Sequence, residues 1–442
     1  MPKAGNAGQL EAVLRQGVAL QRNGRLREAE TIYRQILRSH PAQPQALHFL
    51  GLVAKAAGLF GEAEKLIRRA LEVSPGYAEA WFNLGTTLRQ VGRLDEAVQA
   101  FETALALKPE SLANRLGLGE TLLRSGRNEA GLACQREVVA RHPDDAAAHF
   151  ALANALQETG DWKAAVASYG AAARLDPKIA GLNNNLAAAL IKLGDLRAAL
   201  AAAEAELRQD PQNPPAIAYK AQALWELGRE AEAEALVDYD RFIFQDRLTA
   251  PEGFASLAEF NTALVHDLGE HPTLSQAVDP KQRAIRGGAV ALAVNSAPTP
   301  AIAALERAFQ ERIQGWAASL PDDPAHPFLC RKPNSYGLNM WGNLLTSQGY
   351  QAAHIHNAGW VSGVYYAAVP RSVSAKSDSQ EGWIEFGRPG YGLPSRVAPR
   401  LHALAPEAGM MLLFPSYFWH RTLPFEGESL RVSVAFDLQA TG

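Results

Sequence analysis

The chain has 442 residues, 47% hydrophobic and 20% charged, and 43 basic against 46 acidic residues leave a formal net charge of -3. That length is too great for one ordinary globular domain, and that composition excludes a disordered chain. The near-even charge gives no support to a surface built to track a phosphate backbone.

No stretch is long and apolar enough to span a membrane. The start, Met1 to Asn6, carries one lysine and no apolar core behind it, unlike a signal peptide. Two cysteines, Cys134 and Cys330, make neither a disulfide framework nor a thiolate metal site. The expectation is a soluble, cytoplasmic protein of at least two domains, with no nucleic-acid or membrane partner.

The first half is rich in Ala, Leu, Glu and Arg, all good helix formers. Pro41, Pro75, Pro109, Pro143, Pro177 and Pro211 follow one another at steps of 34 residues. A small residue sits 24 before each proline (Gly17, Gly51, Gly85, Gly119, Ala153, Ala187) and another 12 before it (Ala29, Ala63, Ala97, Gly131, Ala165, Ala199). Tyr33, Ile67, Phe101 and Tyr169 stand 8 before theirs. Small residues let two antiparallel helices approach closely, and large ones fill the space between. Pairs such as Gly92-Arg93, Gly126-Arg127 and Gly194-Asp195 mark the turns, and each proline separates one unit from the next.

This 34-residue unit resembles the tetratricopeptide repeat. Six clear copies run from Leu10 to Asn213, and a seventh, looser one follows with Ala221 and Ala233 in place and Gln245 where the proline is expected. The aromatics of the stretch 239–244 suit a cap or a junction. Such a solenoid exposes a concave groove lined by the first helix of each repeat. Phe82, Thr86, Arg89, Glu120, Phe150, Asn154, Gln157 and Asn184 are its groove-side candidates, and the run Asn183 to Asn185 offers amide hydrogen bonds. The expected occupant is a protein or peptide, or a second copy of the chain.

After about residue 250 the period is lost. Phe254 to Leu268 reads as a helix, Glu270 to Gly288 as polar and turn-rich, and Pro300 to Leu320 as an amphipathic helix suited to brace a sheet. His271 and His326 read as structural. The domain division expected is 1–247 for the repeats, 248–324 for a helical connector supporting the domain that follows, and 325–442 for that domain.

The last 120 or so residues exchange helix formers for Tyr, Val, Trp, Phe and Gly. Strands are expected near Asn339 to Leu345, Val361 to Tyr366, Trp383 to Phe386, Gly409 to Phe414 and Leu430 to Phe436. In the last of these Leu430, Val432, Val434 and Phe436 share one face, and Arg431, Ser433 and Ala435 the other. Short strands with Gly and Pro turns argue for a sandwich or barrel. His354 and His356, at i and i+2 in an extended segment, point to the same side. His420 stands at a strand end, with Arg431 eleven residues on. Imidazoles from different strands suit a ferrous ion. A fixed guanidinium beside a hydroxyl at Ser433 suits an acidic co-substrate. A plain hydrogen-bonded histidine pair fits the spacing equally well.

Residues Tyr350 to Tyr366, reading Tyr-Gln-Ala-Ala-His-Ile-His-Asn-Ala-Gly-Trp-Val-Ser-Gly-Val-Tyr-Tyr, resemble the iron-binding strand of the 2-oxoglutarate- and Fe(II)-dependent oxygenases, in particular a bacterial branch of them. Phe414 to Phe436 resembles the closing motif of that family, and the likeness covers roughly 334–438. The resemblance implies a double-stranded β-helix, or jelly roll, following the all-α solenoid, with helices in support. It implies His354 as first iron ligand and His420 as last. Arg431 with Ser433 would anchor 2-oxoglutarate, Tyr366 would contact it, and Asn343 would line the same pocket.

One departure stands out. The family pattern reads His-x-Asp or His-x-Glu, where this chain has His356. His356 is then a third ligand, a residue standing off the metal toward substrate, or the mark of an inactive site, in that order. Asp378, Glu381 and Glu385 are weaker candidates to supply the missing carboxylate. Trp360, Trp383, Trp419 and Tyr417 are offered as pocket walls, and 371–382 and 387–400 as mobile loops at its mouth.

The activity implied is hydroxylation of a protein or peptide recruited by the repeats, coupled to decarboxylation of 2-oxoglutarate to succinate and carbon dioxide. Alternatives are a non-catalytic adaptor with a degenerate jelly roll, or a metal-dependent enzyme of this fold that does not use 2-oxoglutarate. A nucleic-acid demethylase is the weakest, because no basic patch flanks the motifs.

Overall fold

The computed structural model describes residues 4–276, 284–333, 335–376 and 379–440. They form two compact units, Met1–Ile179 and Ala180–Gly442.

The first unit is five helical hairpins. They are α1 (Ala4–Arg22) with α2 (Leu26–Ser39), α3 (Pro44–Ala56) with α4 (Phe60–Val73), α5 (Ala78–Gln90) with α6 (Leu94–Leu107), α7 (Leu112–Arg124) with α8 (Asn128–Arg141), and α9 (Ala146–Glu158) with α10 (Trp162–Leu175). Each hairpin turns at a glycine in the left-handed region: Gly24, Gly58, Gly92, Gly126 and Gly160, with φ from 74° to 86°. A side chain there would strain the backbone, which is why the turn glycine repeats with the same period.

The small positions close the hairpins. A Cβ on Gly17 would stand 2.6 Å from Tyr33, on Gly51 2.8 Å from Ile67, and on Gly85 3.0 Å from Phe101. Ala29, Ala63, Ala97 and Ala165 are fully buried. Several groove-side candidates use their polar atoms inside the unit. Thr86 accepts from Lys55 at 2.6 Å, Arg89 pairs with Glu120 at 2.5 Å, and the Tyr169 hydroxyl donates to Asn154 and Gln157 at 2.7 and 3.0 Å.

The second unit opens with two more hairpins, α11 (Leu182–Leu193) with α12 (Leu196–Gln209) and α13 (Pro214–Glu226) with α14 (Glu230–Leu236). Gly194 and Gly228 turn them at φ 85° and 73°, so the looser seventh repeat keeps the same turn. Within the asparagine run, Asn183 is buried and donates to Glu206 at 3.3 Å, while Asn184 donates to Asn213 at 3.0 Å.

Then come α15 (Tyr239–Phe242), β1 (Phe244–Arg247), α16 (Leu257–Gly269), β2 (Ser275–Gln276), β3 (Ile285–Ala291) and α17 (Pro300–Ser319). The remainder is strand: β4 (Tyr336–His354), β5 (Val361–Ala368), β6 (Ile384–Phe386), β7 (His402–Leu404), β8 (Met410–Pro415), β9 (His420–Thr422) and β10 (Arg431–Ala440).

All pairings are antiparallel, in the order β1-β8-β5-β10-β4-β9-β6-β7, with β3 also on β4 and β2 on β3. This is a curled antiparallel sheet of the jelly-roll kind. Strand β1 lies before residue 248, and β2 and β3 lie within 248–324, so the sheet draws on all three expected segments. Strand β4 links the two halves of the roll. Its residues 336–345 pair with β10, and farther on Gln351 and His354 pair with β9 with a bulge between them.

The strand alternation sets the two faces of β10. Val432, Val434, Phe436 and Leu438 are fully buried in the core, with the Phe309 ring of α17 tilted against Phe436 at 4.4 Å. Helix α16 adds Phe260 beside Tyr365 and Asn261, which accepts from the Tyr365 hydroxyl at 2.5 Å. Among the described residues no helix is long and apolar enough to cross a membrane.

Candidate metal centre and co-substrate pocket

His354 ends β4 and His420 opens β9, and the two are direct partners in the antiparallel ladder. Side chains opposite each other in such a pair lie on one face. His356 follows two residues later, on the same side as His354, while Ile355 between them is buried elsewhere. The three ring centroids are 4.3 to 5.2 Å apart. One nitrogen from each ring lies within 4.8 Å of the others.

Hydrogen bonds fix which nitrogen that is. Nδ1 of His354 donates to the Ala352 carbonyl at 2.8 Å, and Nδ1 of His420 to the Phe418 carbonyl at 2.9 Å. Carbonyls only accept, so both protons sit on Nδ1 and both Nε2 lone pairs are left open. Nδ1 of His356 donates to the Asp437 carboxylate. The Nε2 atoms of His356 and His420 then face each other at 3.2 Å. Two lone pairs at that separation repel unless a cation lies between them. Nitrogens bound to one ion at about 2.1 Å each are separated by roughly 3 to 3.4 Å. The donor set therefore fits a metal ion on chemistry and on spacing.

Burial holds the His354 imidazole down at about 4, with His356 adding to the effect and the Ala352 carbonyl and Asp437 opposing it. Burial, reinforced by the other two rings, holds His420 well below the ordinary imidazole range. Neutral imidazole is the form that ligates a metal.

Asp437 is the residue that the sequence reading missed. It accepts from His356 and, at 2.7 Å, from the hydroxyl of Ser362, which also bonds Ser416 at 2.8 Å. A carboxylate behind a ligating imidazole orients the ring and makes it more basic. The signal was available in the alternation of β10: Arg431, Ser433 and Ala435 share a face, and Asp437 is the next residue on it.

The three imidazoles line a tight cavity together with Arg431, Ser433, Tyr366 and Trp341. Arg431 is only 2% exposed, its Nε has no hydrogen-bond partner, and its guanidinium lies over the Tyr366 ring at 4.9 Å. Among the described residues no carboxylate is within ion-pair range of it. Burial lowers its pKa, while Tyr366 counteracts this. Asn343, Ser433 and Tyr366 stand in one row across β4, β10 and β5. The Asn343 side-chain oxygen is buried without a partner, although Asn343 does not itself line the cavity. A second, more open hollow shares Trp341, Gln351, His354 and His356 with the first and adds Asp437, so the imidazoles stand between an inner chamber and an outer mouth.

Residues 339–437, the whole of this arrangement from β4 to Asp437, match the family model described as "Putative 2OG-Fe(II) oxygenase". The C-terminal domain carries the 2OG-Fe(II) oxygenase pattern. Residues 14–64, 44–87 and 184–242 match tetratricopeptide repeat models, and 66–178 matches the tetratricopeptide domain of cytochrome c-type biogenesis protein H. No curated protein matches the chain. Similar solved structures include MamA (20% identity, 37% of this chain and 95% of that one, TM-score 0.34) and Pseudomonas aeruginosa PilF (19%, 48% and 96%, 0.43). Another is YrrB, a tetratricopeptide protein with an unusual peptide-binding site (18%, 42% and 95%, 0.35).

Within the oxygenase-pattern domain several expected neighbours of the pocket lie elsewhere. Trp360 stacks on Phe328 at 4.9 Å, the Trp383 indole donates to Ser374, and the Tyr417 hydroxyl donates to Leu236 at 2.6 Å. None of these, nor Trp419, lines the cavity; the indole that does is Trp341, stacked on His356. Bulky aromatics satisfy burial anywhere in a core, so residue type alone did not locate them. Glu385 is paired with Arg388 and Arg421 at 2.8 and 2.7 Å and is no ligand candidate. Glu381 is not part of the histidine cluster, and Asp378 lies outside the described residues. Residues 387–400 are not a free loop at the mouth: they lie along α11 and α13.

Proposed function

We propose that the chain is a 2-oxoglutarate- and Fe(II)-dependent oxygenase that hydroxylates a protein or peptide recruited by its repeats. The observation that carries this reading is Arg431. A guanidinium buried with no carboxylate beside it is costly. Its position in one chamber with three open imidazole nitrogens gives that cost a purpose, because a dicarboxylate would supply the missing anion.

His354, His356 and His420 would hold the metal through Nε2. Fe(II) bound there would supply oxygen activation coupled to oxidative decarboxylation of 2-oxoglutarate. Arg431 takes the far carboxylate of the co-substrate as a charge-assisted pair, and the Ser433 hydroxyl donates to the same group. Tyr366 and Asn343 flank it in the same row. Asp437 keeps the His356 proton on Nδ1 and gives the three-imidazole set a negative charge on the far side of the His356 ring, in place of the ligating carboxylate that the family pattern carries. Trp341 and Gln351 border both hollows and would meet the reacting side chain of a substrate.

Calorimetric titration of 2-oxoglutarate into Fe(II)-loaded protein under nitrogen tests this. Saturable binding is expected, weakened at least a hundredfold in Arg431→Ala. A wild-type protein that takes up iron and fails to bind 2-oxoglutarate would refute the reading in favour of another metal-dependent chemistry.

A further inference from the structure

Between β6 and β7 the chain leaves the sheet and runs along the first helices of the last two repeats. The repeats hold it by its backbone. Lys192 donates to the Gly392 carbonyl, Gln222 to the Pro394 carbonyl at 3.0 Å, and the Trp225 indole to the Ala398 carbonyl at 2.9 Å. These donors read the main chain and take no account of its side chains.

Two arginine side chains are read as well, Arg400 by Glu234 of α14 at 2.9 Å and Arg396 more fully. Arg396 donates to the Ile191 and Lys192 carbonyls at 3.0 and 3.2 Å, at the carboxyl end of α11, and to Glu226 at 3.4 Å. The last carbonyls of a helix lack partners and carry partial negative charge, so the seat suits a guanidinium.

The other end of the same segment touches the metal strand on both sides of His354. The Tyr391 hydroxyl donates to the Ile355 carbonyl at 3.2 Å and accepts from the Ile355 amide at 3.4 Å. Gly390 lies so close to the Ala353 carbonyl that a Cβ would stand 2.0 Å from it. Tyr391 adopts φ 53°, a left-handed conformation that a tyrosine keeps only while contacts enforce it. Residues 395–398 are exposed, and only Gly390 and Leu393 are buried between 388 and 400. Polar contacts that open locally, not a shared core, hold the segment down.

We propose that residues 388–400 are a peptide ligand bound in cis, and that an arginine-containing peptide of a partner protein competes for their seat on α11 and α13. Displacing the segment frees Tyr391 from Ile355, so occupancy of the repeats is transmitted to the strand end bearing His354 and His356. The proposal goes beyond the oxygenase reading, and its test is run without metal, so the two stand or fall separately.

The probe is a fluorescein-labelled synthetic peptide with the sequence of residues 388–400, titrated by anisotropy into the full chain. Arg396→Ala in the protein weakens the cis contact and is expected to raise affinity for the labelled peptide at least tenfold over wild type. An unlabelled peptide carrying Arg396→Ala is expected to compete at least tenfold less well than the native one. No saturable binding to the variant protein, or equal binding to both proteins, overturns the proposal. Hydrogen exchange on the wild-type chain gives an arm that does not depend on the variant folding. Excess unlabelled peptide is expected to speed exchange over 392–400 and at Ile355, and unchanged exchange there overturns the proposal.

Discussion

Arg431 and Asp437 stand on the same face of β10, six residues and so roughly 20 Å apart along the strand. The cation at one end and the anion at the other do not neutralise each other. Asp437 is committed to His356 and Ser362, while Arg431 faces the chamber without an acidic partner among the described residues. The strand thus carries two charges with two separate tasks.

Replacing Arg431 separates stability from binding. Arg431→Met keeps most of the volume and removes a buried charge that no anion pairs, and the desolvation of such a charge opposes folding. The unliganded variant is therefore expected to melt no lower than wild type in scanning calorimetry. The rise in Tm that 2-oxoglutarate gives the Fe(II)-loaded wild type should vanish in it. A large drop in the unliganded Tm would mean that Arg431 is structural.

Asp437→Asn tests the carboxylate behind His356. The amide can present its oxygen to Nδ1 but contributes no charge, and loss of such a partner typically weakens metal binding about 10- to 100-fold. Competitive titration with a chelator should find Fe(II) affinity lowered by that factor, with unfolding by urea little changed. Unaltered affinity would leave His356 as a residue that stands off the metal.

What the sequence disclosed and what it concealed follow from the range of the interactions. The period of Pro41 through Pro211 reports contacts within one hairpin, and so the repeats were legible down to the small residues that meet Tyr33, Ile67 and Phe101. The i, i+2 spacing of His354 and His356 and the shared face of Arg431 and Ser433 are equally local. Asp437 was missed because its partner lies 81 residues away. Strand β1 read as an aromatic junction because only its pairing with β8 makes it a strand, and β7 and β9 are three residues each, too short to show alternation. The cis contact of residues 388–400 joins a glycine- and proline-rich stretch to helices about 200 residues earlier, and nothing in either segment alone announces it.

His48 makes the first unit sensitive to acid. Its Nε2 accepts from the Asn83 amide at 2.9 Å, which leaves the proton on Nδ1 facing the Tyr77 hydroxyl at 2.9 Å. Burial lowers its pKa to about 4 from 6.5, against the opposing pull of Glu79. Between those values the unfolded chain binds a proton that the folded one does not, so stability is full above about pH 6.5 and falls as the pH drops toward 4. The loss is on the order of 3 kcal/mol at the lower limit. Urea unfolding followed by hydrogen exchange in α3 and α5 at pH 7 and pH 4.5 should show it, and His48→Gln should flatten the dependence.

Gly117→Ala sets helix propensity against packing. Alanine in the middle of α7 gains about 1 kcal/mol over glycine by propensity alone. Here the added Cβ would meet the Phe101 ring at 2.6 Å, and that ring is fully buried and hemmed in by Gly85 as well, where a Cβ would stand only 3.0 Å from it. Phe101 cannot swing away without opening the contact between α5 and α6, and overpacking of this kind costs about 1–3 kcal/mol. The steric term should win, leaving the variant less stable by up to about 2 kcal/mol. Gly8→Ala, in open space on α1, is the matched control and should gain stability slightly. Urea midpoints for the pair decide between the terms: a stabilised Gly117→Ala would mean that the hairpin core relaxes around Phe101 more readily than its packing implies.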